Sequence, residues 1–103
     1  MNFGLSLQTI SKISGILFLY PEIESAIIFG SRAKGNFKDG SDIDLTFTGQ
    51  RISLELLSKV NVKLDDLSLP YTIDLSIFSF IKNPDLIDHI KHVGKVFFKK
   101  ESE

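Results

Sequence analysis

The sequence predicts an α/β fold, and three observations carry the prediction. Asp42–Thr48 and Tyr71–Ile77 alternate polar and apolar residues as half-buried strands do. Around them lie segments whose apolar residues recur at helical spacing and which open on capping residues, Ser6, Ser53 and Asn83. Strand-like and helix-like stretches follow one another without internal repeats or low-complexity tracts.

Ser6 can cap a first helix that carries Leu7, Ile10, Ile13, Leu17 and Tyr20 near one face and ends before Pro21. Ser25 to Phe29 follows as a strand whose last three residues, Ile27-Ile28-Phe29, are all apolar and read as buried. Gly30 permits a sharp exit, and a short helix begins after Ser31 and stops at Gly35. The polar loop Asn36 to Gly40 then feeds the strand with Asp42 and Asp44. Ser53 opens a helix with Leu56, Leu57, Val60, Leu64 and Leu67 inward, and Pro70 marks its far side. After the Tyr71–Ile77 strand, Asn83 caps a helix with Pro84 at its first position and Gly94 as its C-terminal cap. Lys95 to Lys99 forms a final short strand, and Lys100 to Glu103 is a frayed tail.

Strand parity gathers chemistry on one face. Asp42, Asp44, Thr46 and Thr48 share a side, opposite Ile43, Leu45 and Phe47. Thr72, Asp74 and Ser76 form the matching polar side of the later strand. If the two strands lie side by side in register, three carboxylates converge beside the Gly30-Ser31 turn, where the free amides of a helix start favour phosphate oxygens. Such a cluster is self-repulsive unless cations bridge it, and hard oxygen ligands at an open, phosphate-accepting site favour magnesium. The chemistry implied is metal-assisted attack on a nucleotide phosphate. A Gly-Ser turn alone is ordinary punctuation, and an Asp-x-Asp pair alone is ordinarily a solvated strand face. The combination, with Asp74 at the same parity, is specific.

Phe29-Gly30-Ser31-Arg32-Ala33-Lys34-Gly35, then Ser41-Asp42-Ile43-Asp44-Leu45 with ten residues between Ser31 and Asp42, and a later apolar-Asp-apolar strand at Asp74, resemble the DNA polymerase beta-like nucleotidyltransferase superfamily. The extended strings are similar to its stand-alone minimal nucleotidyltransferases, the antitoxin-type partners of HEPN-domain proteins. The likeness runs from about Pro21 to Phe98, nearly the whole chain. It implies a small mixed sheet with helices mainly on one face. It also implies transfer of a nucleoside monophosphate, AMP from ATP, to an acceptor hydroxyl, expected on a tyrosine of a HEPN toxin. By the same resemblance Asp42 and Asp44 hold two magnesium ions that bridge the phosphates, while Asp74 binds the second metal and helps deprotonate the acceptor. Gly30 and Ser31 cradle the phosphates; Arg32 and Lys34, just past the turn, are candidates to neutralise the triphosphate or its pyrophosphate leaving group. Lys34 stands where many relatives have Arg, which keeps the charge but loses the bidentate fork. Two alternatives stay open: a non-catalytic partner that inhibits a HEPN protein by occlusion, and a small-molecule nucleotidyltransferase.

Composition bounds these readings. A chain of 103 residues with 43% hydrophobic content supports one domain with one small core. A formal net charge of -1 gives no basic field, so extended nucleic acid is not the expected partner. Cysteine is absent, which removes disulfides and thiolate metal sites. The first apolar segment is broken by Ser11, Lys12 and Ser14, so neither a signal peptide nor a membrane span is expected, and the cytoplasm is the default location. Lys38 and Asp39 are expected to face water. His89 and His92 have a spacing that could serve zinc, but no third ligand lies near them in sequence, and a helix-surface role is preferred. Among nine Phe, adjacent Phe97 and Phe98 are expected on opposite sides of their strand. Either one of them joins an apolar patch covered by a partner, or both sides of the sheet are covered internally. The oligomeric state, homo- or hetero-oligomer, is open.

Overall fold

A computed structural model describes residues 2–100. Helix α1 (Leu7–Phe18) starts at Ser6, whose hydroxyl accepts the Thr9 amide. Strand β1 (Ser25–Phe29) leads into the four-residue helix α2 (Ser31–Lys34), and β2 (Ile43–Thr48) follows the polar loop. Helix α3 (Leu54–Asp65), capped by Ser53, carries the chain to β3 (Ile73–Ile77). A 3-10 turn at Phe78–Phe80, helix α4 (Pro84–Val93) and strand β4 (Lys95–Lys99) complete the order. Asn83 caps α4 with its side-chain oxygen, with Pro84 at the first turn, as the sequence predicts.

The sheet order is β3-β2-β1-β4. β1 runs antiparallel to both β2 and β4, whereas β2 and β3 are parallel because the α3 crossover returns the chain to the same end. The sheet is therefore mixed, as expected. Ala26, Ile28, Ile43, Leu45 and Phe47 are fully buried on one face, where they meet Ile13 and Leu17 of α1 and Leu56, Val60 and Leu64 of α3. Burying each such Ile, Leu or Phe contributes about 1.5–3 kcal/mol, and this layer holds the strands in register beneath the acidic face. Leu7, expected on the inner face of α1, is instead 70% exposed, because that face first meets the core one turn later, at Ile10.

The opposite face carries the acids and is only partly open. Ile90 of α4 is buried outside the main core. Gly94 lets the end of that helix lie on β1, where a Cβ would stand 2.7 Å from Ile27 Cγ2. Thr46, on the polar side of β2, is fully buried, because the Phe78–Phe80 turn packs on that strand and α4 on the neighbouring β1. Its Oγ1 has no hydrogen-bond partner among the described residues.

The expectation for Phe97 and Phe98 is also corrected. Phe98 pairs with Ala26 and Val96 with Ile27, so Phe97 is the extra residue of a bulge. The bulge breaks the alternation, and both rings lie half-buried against the main core, Phe97 beside Phe3 at 6.3 Å between centroids. Val96, in the same strand, is exposed. Lys100 is not frayed: its amide donates to Glu24 O at 3.0 Å and its ammonium to Tyr20 O. Residues 101–103 of the expected tail lie outside the described residues. Among the described residues no helix is long and apolar enough to cross a membrane.

Candidate active site

Gly30 ends β1 at φ 74° and ψ −154°, a backbone region that glycine alone occupies without strain. A Cβ at this position would stand 2.5 Å from Asp44 Oδ2. The missing side chain thus lets the turn and the carboxylate touch, and the register explains why they meet, since Phe29 pairs with Asp44 across β1 and β2. Gly30 occupies the cap position and Ser31 the first helical position, so Ser31 does not cap the helix. Within α2 the Lys34 amide donates to Gly30 O and the Gly35 amide to Ser31 O. The amides of Ser31, Arg32 and Ala33 therefore have no partner inside the helix and point out of its start.

Asp44 and Asp74 are direct partners in the parallel β2–β3 pair. Asp42 sits just before β2, and it and Asp74 are exposed while Asp44 is half-buried. Burial, first, and then the like charges of Asp74 and Asp42 push the Asp44 carboxyl above its usual range. Asp74 also borders an open cleft of about 270 Å³ between α3 and β3, lined in part by Leu57, Ser58 and Asn61.

Arg32, expected at the phosphates, serves another purpose. It is 1% exposed, its Nε and Nη2 donate to Ser41 O at 3.0 and 2.9 Å, and its Nη1 donates to Phe3 O at 2.8 Å. The guanidinium also lies over the rings of Phe37 and Tyr71, at 5.2 and 4.9 Å. It clamps the residue before Asp42 to the helix after Gly30, and so ties the acid loop to the turn. Lys34 is exposed, as are Lys38 and Asp39.

His89 is the residue that sequence reasoning assigned to a helix surface and that the fold brings to the site. Its Nε2 accepts the Gly30 amide at 3.1 Å, and its ring meets Phe29 edge-on at 6.1 Å. The signal was its place on the half-buried stripe Leu86, His89, Val93 of α4. His92 lies off that stripe, exposed, with Nδ1 within 3.2 Å of the Asp88 carboxylate. The two rings do not share a zinc site.

Residues 11–103 match the family described as Polymerase beta, Nucleotidyltransferase. The chain belongs to that family. It is a nucleotidyltransferase domain, and its fold recurs in solved structures. A toxin-antitoxin crystallised with AMP-PNP superposes with a TM-score of 0.71 at 21% identity, over 89% of this chain and 74% of that one. A tri-AMPylated Shewanella oneidensis HEPN toxin in complex with MNT antitoxin gives 0.66 at 19% identity, over 90% and 71%. The toxin-antitoxin MntA-HepT gives 0.67 at 18%, over 92% and 74%. No curated protein matches the sequence.

For a nucleotidyltransferase the donor set fits a hard divalent cation. It offers carboxylate oxygens only, and the mutual repulsion at Asp44 is the electrostatic condition such an ion relieves. Among the described residues no three Asp, Glu, His or Cys side chains stand close enough to enclose an ion by themselves. Magnesium suits this incompleteness, because it keeps water and takes phosphate oxygens rather than filling an all-protein cage.

Proposed function

We propose that this nucleotidyltransferase moves AMP from ATP to an acceptor hydroxyl, and that the acceptor is a tyrosine of a HEPN-domain partner. The observation that carries the reading is the contact of the Gly30 turn with Asp44, itself paired in register with Asp74. This puts unpaired amides and acids on one spot, where a metal-bound triphosphate needs both. The toxin-antitoxin structures with the same fold, one with AMP-PNP and one with an AMPylated HEPN toxin, support the choice of nucleotide and partner.

In this reading the turn at Gly30-Ser31 binds phosphate oxygens, with Lys34 free to approach the pyrophosphate end. Asp42 and Asp44 would hold magnesium, with Asp74 completing a second ion site; the metal would neutralise charge at the phosphates and lower the pKa of the acceptor hydroxyl. Asp74, exposed on edge strand β3, takes up the hydroxyl proton as the oxygen attacks the α-phosphorus. The bond from the α-phosphorus to the bridging oxygen breaks in line, and pyrophosphate leaves with the electron pair.

The test is a pull-down with the product of the neighbouring gene, expected to be a HEPN-domain protein, followed by intact mass spectrometry after ATP and magnesium. The partner is expected to gain the mass of AMP on tyrosine. A complex with no added mass would make the chain an occluding partner, and no complex would return the acceptor to a small molecule.

A further inference from the structure

We propose that His89 is a positioning residue of the nucleotide site: by holding the Gly30 amide it fixes which amides of the turn receive the phosphates. This rests on the reading of the Gly30-Ser31 turn as the phosphate cradle. The Gly30 N–H can only donate, so the Nε2 that accepts it at 3.1 Å carries no proton, and the ring hydrogen sits on Nδ1.

Glycine at this position has a need for such a partner. The conformation at φ 74° and ψ −154° is open to glycine, but glycine also visits many others, so the residue permits the turn without selecting it. A hydrogen bond from an element 59 positions away in sequence supplies the selection. The acceptor is itself held firmly. The His89 ring lies edge-on against Phe29, the neighbouring Ile90 is buried, and the close approach of Gly94 to Ile27 seats the rest of α4 on β1.

The consequence for binding follows by elimination. With the Gly30 amide engaged by His89, an incoming phosphate meets the amides of Ser31 and the residues after it, which have no partner within α2. The register of the triphosphate on the turn, and thus its distance from Asp44, is set from α4. A His89→Leu variant removes the acceptor but keeps an apolar contact with Phe29. His89→Gln restores an acceptor, because the glutamine side-chain oxygen reaches about as far as Nε2.

Two measurements on the full chain test this. Amide hydrogen exchange at Gly30 in the free protein is expected to be slow in the wild type and His89→Gln, and at least about tenfold faster in His89→Leu. Calorimetric titration with magnesium and AMP-PNP is expected to show affinity about three- to tenfold weaker in His89→Leu, the worth of one hydrogen bond, and near wild type in His89→Gln. His92→Gln, on the same helix but exposed, is the control and should change neither. If His89→Leu does not fold, His89→Asn, too short to reach Gly30, takes its place with the same expectation. Unchanged exchange and affinity in the Leu or Asn variant, or a Gln variant that falls as far, overturns the inference while leaving the phosphate reading intact. A wild type that binds no triphosphate overturns both.

Discussion

Replacing Gly30 by Ala perturbs the backbone and the acid at once, and the two effects separate by assay. The backbone there lies at φ 74° and ψ −154°, a region whose cost for a residue with a side chain is about 1–3 kcal/mol. For a domain of this size each kcal/mol moves Tm by about 4–8 °C, so a fall of roughly 4–24 °C is expected. The new Cβ would also stand 2.5 Å from Asp44 Oδ2. That oxygen ends a short side chain and can swing away at little cost to stability, but doing so takes Asp44 from its place beside Asp74. Binding of magnesium and AMP-PNP should therefore fall by more than the loss of stability suggests. Gly35→Ala provides the comparison: φ is 89° there too, but nothing lies within 4 Å of its Cβ. It should lose about 1–2 kcal/mol and keep nucleotide affinity. Thermal unfolding and calorimetric titration of both variants decide the matter. A Gly30→Ala protein with wild-type Tm and affinity would refute the geometry assigned to the turn.

Asp44→Asn should raise the Tm of the metal-free protein near neutral pH. Folding raises the Asp44 pKa, so stability tied to its protonated form is present at low pH and lost as pH rises through the folded pKa; the gain from Asn should vanish as pH falls through it, read by melts across pH. Arg32→Ala leaves Ser41 O and Phe3 O without their donor and should cost about 2–4 kcal/mol in urea unfolding, a loss that would not occur if the side chain were a free phosphate ligand. Thr46→Val removes a buried hydroxyl without a partner at nearly constant shape and should stabilise by about 1 kcal/mol, whereas destabilisation would mean the hydroxyl is satisfied. Asp74→Asn should keep most triphosphate affinity yet lose transfer; equal loss of both would make Asp74 a primary nucleotide ligand.

Much of this was legible because it is local. The caps at Ser6, Ser53 and Asn83 and the bounds of β1 and β4 follow from short-range rules, and strand parity put Asp44 and Asp74 on one face before any pairing was known. What was not legible depends on contacts between distant residues. Arg32 reads as a phosphate-facing cation until Phe3, Phe37, Ser41 and Tyr71 close around it. Thr46 reads as part of a polar strand face until the Phe78–Phe80 turn packs on β2, and the partnership of His89 with Gly30 needs α4 docked on β1. The bulge at Phe97 has no composition signal, since one extra residue in β4 is visible only against the register of β1.

Incubation of the chain and the proposed HEPN-domain partner with magnesium and ATP labelled at either the α- or the γ-phosphate tests the central claim most directly. Nucleotidyl transfer predicts stable label on the partner from α-labelled ATP, none from γ-labelled ATP, and none from either with Asp44→Asn. Label arriving from the γ-phosphate would mean phosphoryl transfer, and α-label undiminished in Asp44→Asn would place the chemistry away from the Gly30 turn and its acids; either result contradicts the account.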